Sequence, residues 1–157
     1  MEIDATRMCE LLVGLPGVDV IGVAAPAPGW LIVHVAAREQ RPVCGRCGTP
    51  AWVKDYREVD LVDLPAFDQR VVLRVTRTRW CCPAARCGVG SWTIEHPEIA
   101  PAAQKLTTRA GQWATKQVGR YARSVSEVAD ALGTDWHTIN DAVIAYGEAL
   151  LDADVDR

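Results

Sequence analysis

The sequence has no long apolar run. Its first candidate, behind the acidic Met1-Glu2-Ile3-Asp4, is broken by Gly14, Pro16, Gly17 and Asp19. A spanning helix needs about 20 consecutive, mostly apolar residues, and a secretory leader needs a basic start before an apolar stretch. Neither is expected, so no membrane partner is expected and the reducing cytoplasm is the expected compartment. Also missing are the residue constellations of common catalysts. There is no Ser/His/Asp set, no glycine-rich phosphate loop and no paired-carboxylate site. The chain as it stands is not expected to be an enzyme.

Charge of one sign is missing locally. Residues 104–124 contain no acid, yet hold Lys105, Arg109, Lys116, Arg120 and Arg123. Residues 38–92 carry ten Lys/Arg against six Asp/Glu, whereas from 125 onward eight acids face Arg157 alone. The net charge of −3 therefore conceals a basic middle able to meet a polyanion and an acidic end.

Cysteine, by contrast, is plentiful, with six in 157 residues. Four fall into two pairs, Cys44-Gly-Arg-Cys47-Gly48 and Cys82-Pro-Ala-Ala-Arg-Cys87-Gly88. Each pair reads as a knuckle, a tight turn that aims two thiolates at one metal ion, and the Gly after the second Cys lets the backbone fold back. Four thiolates make a closed, structural Zn2+ site. In a reducing compartment disulfides are disfavoured, and a thioredoxin-type pair belongs at a strand-to-helix junction, whereas strand signals follow Cys47. Adjacent strand residues point to opposite faces, so only one of Cys81 and Cys82 is expected to reach the metal. Cys82 is chosen because Pro83 and the spacing to Cys87 favour the turn. Cys81 and Cys9 are expected to be ordinary half-buried thiols.

Along the chain, residues 4–14 suit a short helix, and Val18–Ala24 and Trp30–Ala36 suit a hairpin joined by Pro26-Ala-Pro-Gly29. Trp52–Val59 and Arg70–Trp80 suit strands joined through Leu64-Pro65 and flanked by the knuckles. His34 reads as an ordinary strand histidine. Residues 93–103 read as a Pro-punctuated linker with His96 as a solvated loop residue. Beyond it the apolar period turns helical through Leu106, Ala110, Trp113, Ala114, Val118 and Tyr121. On a continuous helix the five cations of this stretch fall within about 60° of arc, which suits a phosphate backbone. Ser124 or Ser126 is expected to cap a helix ending at Leu132, and Thr134 to cap the next. Ala129, Gly133 and Ile139 have helix-turn-helix spacing, which would present Asp135, Trp136, His137, Asn140 and Asp141 outward. Of these, Trp136, His137 and Asn140 are candidate DNA contacts.

The expected fold class is α+β, a small β-rich zinc-ribbon module followed by an all-α helix-turn-helix module. The expected division is residues 1–40, N-terminal helix and hairpin; 41–92, zinc-ribbon-like domain; 93–103, linker; 104–151, helix-turn-helix; and 152–157, acidic tail.

This order of parts resembles the N-terminal portion of transposases of the ISL-three insertion-sequence family. The matching features are the CxxCG knuckle, Leu64-Pro65 after Asp60 and Asp63, Arg79-Trp80 before Cys82-Pro83-x3-Cys87, Trp92, and the helix-turn-helix. The resemblance implies structural Zn2+ at Cys44, Cys47, Cys82 and Cys87, and binding of double-stranded DNA at terminal inverted repeats. It also implies nucleoid association. In that family an Asp-Asp-Glu catalytic domain follows; here Asp152, Asp154 and Asp156 alternate on a tail and supply no such triad. Two alternatives stay open: the first piece of a transposase completed by a separate catalytic polypeptide, or a non-catalytic regulatory or dimerising module, including a homodimer.

Overall fold

The computed structural model describes the backbone of residues 5–155 and the side chains of residues 7–151. Helix α1 (Ala5–Val13) leads into strands β1 (Val18–Ala24), β2 (Trp30–Ala37), β3 (Trp52–Ala66), β4 (Gln69–Cys81) and β5 (Ser91–Thr93). Helices α2 (Thr108–Gly119), α3 (Val125–Leu132) and α4 (Trp136–Val155) follow. After α1 the strands come together and the other helices follow, so the mixed α+β class expected from the sequence holds. The acidic start Met1–Asp4, the last residues Asp156 and Arg157, and the side chains of Asp152 and Asp154 lie outside the described residues. Helix α4 runs into the stretch expected to be a tail.

One sheet organises the first hundred residues, with strand order β1-β2-β4-β3 and β5 joined to β4. The β1–β2 hairpin is antiparallel, but β2 then pairs with β4 in parallel, Val33 opposite Leu73 and Val35 opposite Val75. The boundary expected at residue 40 thus falls inside a continuous sheet. Alternation explains the pairing. Val33, Val35, Leu61, Val71, Leu73 and Val75 all point to one face and are buried with Val18, Ile99 and Ala100. Burying one such Leu or Val contributes roughly 1.5–3 kcal/mol.

Strand β3 continues through Leu64-Pro65, where a junction was expected. It is a sheet edge, and Pro, which has no N–H to donate, is tolerated there. The antiparallel β3–β4 ribbon turns at Phe67-Asp68 between the paired Ala66 and Gln69.

The segment expected to be a linker is part of the core. Ile99 and Ala100 are fully buried. His96 is 8% exposed, not solvated: its Nε2 lies 2.9 Å from Glu39 and its Nδ1 3.1 Å from Glu98. The Trp80 indole N–H donates to the other Glu39 oxygen at 2.9 Å. A carboxylate almost removed from water needs such donors, which is why His96 is drawn inward.

The helices have their own core of Leu106, Ala110, Ala114, Val128, Ala129, Leu132, Ile139 and Ala142, and Val62 and Leu64 of β3 pack against it. Val62 exchanges backbone hydrogen bonds with Lys105 and Thr107. Asp63, 1% exposed, accepts from the Thr107 hydroxyl at 2.7 Å and from the Arg109 guanidinium, which also donates to the Val13 carbonyl. Arg70 of β4 lies over the Trp30 ring and donates to the Asp130 carbonyl at the end of α3, a favourable place for a cation on the helix dipole.

Candidate metal centre

The ribbon explains the site. The first knuckle precedes β3 and the second follows β4, and Trp52 pairs with Cys81. An antiparallel ribbon therefore delivers both knuckles to the same end. In the first, the Gly48 amide donates to the Cys44 carbonyl at 2.8 Å and the Cys44 amide to the Thr49 carbonyl at 2.8 Å. In the second, the Cys87 amide donates to the Ala84 carbonyl at 3.0 Å. Gly48 and Gly88 sit at φ 71° and 69°, left-handed values that side chains rarely adopt.

The Sγ atoms of Cys44, Cys47, Cys82 and Cys87 all lie within 4.8 Å of one another. Cys44 stands 3.6 Å from Cys87, and Cys47 stands 3.5 Å from Cys82. A disulfide would need about 2.05 Å, whereas four sulfurs around a tetrahedral ion with bonds of about 2.3 Å stand roughly 3.8 Å apart. The donor set and its spacing fit one tetrahedral, thiolate-loving cation, and all four positions are filled by protein. Cys81, on the last residue of β4, is outside the cluster, and Cys9 and Cys81 are both half-buried.

Hydrogen bonds with the Thr49 hydroxyl and amide hold the Cys47 thiol down to about 6. At Cys82 the Ala84 amide lowers the thiol, but burial and the neighbouring sulfurs outweigh it and push it up to about 12. Four thiols this close cannot all ionise without a cation to balance them. The ligands also differ in access: Cys44 and Cys87 are buried, Cys47 is exposed and Cys82 is half-buried.

The candidate DNA contacts are not gathered in this way. Helix α2 starts at Thr108 on an N-cap Thr107 and ends at Gly119, with Arg120 as its C-cap. Lys105 and Arg123 therefore lie outside it, and the five-cation arc does not form on one helix. The cause is the hydrogen bonding of Lys105 and Thr107 to Val62, which holds this stretch against β3. Arg109, expected to face DNA, is instead committed through its guanidinium to Asp63 and the Val13 carbonyl. Lys116 and Arg120 remain exposed beside the Tyr121 ring, at 5.8 and 6.0 Å from its centroid. Arg123 reaches Gln117 and the Glu127 carbonyl.

At α3, Ser124 and Glu127 form a reciprocal capping box, and Gly133 ends the helix at φ 71°. The next cap is Asp135 rather than Thr134, its carboxylate accepting from the Thr138 amide and hydroxyl, both at 2.8 Å. A carboxylate there meets both the free amides and the dipole of α4. In the first turn of α4, Trp136 and His137 are exposed and stacked edge-to-face at 5.3 Å, Asn140 is half-buried and Asp141 exposed. The tertiary roles of Glu39, Asp63 and Arg70 are not legible in the sequence, since each acts through a partner at least 41 residues away.

Among the described residues no helix is long and apolar enough to cross a membrane. Comparison with protein-family models, with curated proteins and with solved structures found no match.

Proposed function

We propose that this chain is a metal-stapled DNA-binding module. In this reading Zn2+ is held by Cys44, Cys47, Cys82 and Cys87 in a zinc ribbon made of the two knuckles and the β3–β4 ends. Helices α3 and α4 form a helix-turn-helix. The observation that carries it is the arrangement around Gly133. Ala129 and Ile139 are buried at 4% and 0% and lock the two helices across a left-handed glycine, while the first turn of α4 leaves Trp136 and His137 exposed. That is the end by which a recognition helix enters the major groove. Lys105, Lys116, Arg120 and Arg123 supply phosphate contacts, whereas Arg109 serves the fold. Asn140, half-buried in the first turn of α4, is the residue that would read an adenine edge.

The resemblance to ISL-three transposases supports terminal inverted repeats as the duplex bound. The test is titration of zinc-loaded protein with the inverted repeats that flank its gene and with random duplex, over a range of salt. Binding in the nanomolar-to-micromolar range that weakens steeply with salt is expected, and Arg120→Glu should weaken it. Equal affinity for repeats and random duplex would remove specific recognition; no binding to either would remove the function.

A second reading, a dimerising module, draws on one feature. A cleft of about 750 Å³ between α2 and α4 is lined by Val143, Tyr146, Leu150 and Leu151, and the last two are 64% and 68% exposed. Sedimentation of the free protein separates the two: a dimer that persists while DNA affinity is nil supports the second.

A further inference from the structure

The ribbon's far end carries a residue that neither the turn nor the core explains. Phe67 and Asp68 form the two-residue turn between β3 and β4, at φ 52° and 61°. Two-residue hairpin loops with both central residues at positive φ favour Asn-Gly or Asp-Gly. Asp at the second position is of the tolerated kind, because a short polar side chain accepts left-handed backbone. Phe at the first is not, since its Cβ crowds the backbone at a cost of roughly 1–2 kcal/mol. Core packing offers no compensation either: Phe67 is 78% exposed, and it is the chain's one phenylalanine. A strained backbone that displays an aromatic ring to solvent is the pattern of a contact made outside the chain.

We infer that Phe67 is a DNA contact, an aromatic wedge that meets the duplex beside the groove entered by α4. This rests on the DNA-binding reading above. The placement comes from Arg70, the second residue of β4 and three past Phe67. Its guanidinium lies on Trp30, it donates to Asp130 at 3.2 Å, and its aliphatic stem presses on Gly133, where an added Cβ would stand 2.5 Å from Arg70 Cδ. The hairpin tip is thereby fixed against the turn that leads into α4, three residues before Trp136. In this proposal a duplex lying on the first turn of α4 also meets this tip. Proteins that bind the minor groove insert apolar side chains such as Phe or Leu between base steps.

The test compares wild type with Phe67→Asn and Phe67→Trp, each zinc-loaded, on a fluorescein-labelled duplex carrying the flanking inverted repeats, with urea stability measured in parallel. Asparagine suits the turn, so Phe67→Asn should be as stable as wild type or more so and keep its metal. Its affinity should fall by about tenfold, the loss of one aromatic contact with a base. Phe67→Trp should bind within a few-fold of wild type. Unchanged affinity in Phe67→Asn overturns the inference while leaving the DNA-binding reading intact, and a drop in its stability would mark Phe67 as structural and overturn it too. Failure of wild type to bind any duplex overturns both.

Discussion

The two ends of the β3–β4 ribbon are held by different physics. At one end four cysteine sulfurs converge within 4.8 Å and belong to neither apolar core; at the other, Val62 and Leu64 join a helical core, with Asp63 and Arg70 as polar fasteners. In the proposed reading an ion holds the cysteine end together. The helical end is stable through burial and needs none. A chain of this size can thus spend its apolar residues on one end while a metal staples the other.

Removing the metal should separate the ends most clearly. Binding free energy at structural sites is of the order of 10 kcal/mol and is folding free energy. Chelation should therefore expose the amides of residues 41–59 and 77–92 to hydrogen exchange while α2, α3 and α4 keep theirs protected. Collapse of all protection at once would show that the ends are a single cooperative unit.

The helical end should yield next, to Asp63→Asn. This substitution leaves Arg109 without its buried counter-charge and is expected to destabilise by about 2–4 kcal/mol, below the full cost of a buried unpaired charge because Arg109 is one-third exposed. Urea unfolding measures it, and zinc content should not change. Loss of zinc in this variant would tie the two ends together.

Acid gives the smallest effect. Amide and hydroxyl hydrogen bonds from Ser124 hold the Glu127 carboxyl below the ordinary range, and those from Thr138 do the same for Asp135. Groups whose folded value is depressed contribute stability above their unfolded value, and that stability is lost as pH falls through the folded one. Helices α3 and α4 should therefore fray progressively below about pH 4. Circular dichroism should record the fraying, and Glu127→Gln, which keeps the capping geometry without the titration, should make the profile shallower.

The same contrast decides what the sequence discloses. The knuckles are legible because their chemistry is written at short spacing: Cys, two or four residues, Cys, Gly. The β1–β2 hairpin and the Ser124-to-Leu132 helix are legible for the same reason, through local turn and cap residues. The parallel pairing of β2 with β4 is not, because it depends on burying Val33 against Leu73, forty residues apart. Nor is the inward turn of His96, which answers to Glu39 and Trp80. The cation stripe is not on one helix, because the helical period runs on over Lys105 and Arg123 while their neighbours bond to β3 and cap α3. Periodicity registers a face, not where the helix stops.

The most direct test of the account is zinc content per chain in wild type, Cys82→Ser and Cys81→Ser, measured on purified protein after exhaustive dialysis. One zinc is expected in wild type, one in Cys81→Ser, and loss of tight zinc in Cys82→Ser. Zinc-free wild type, or loss of zinc from Cys81→Ser with retention by Cys82→Ser, would contradict it.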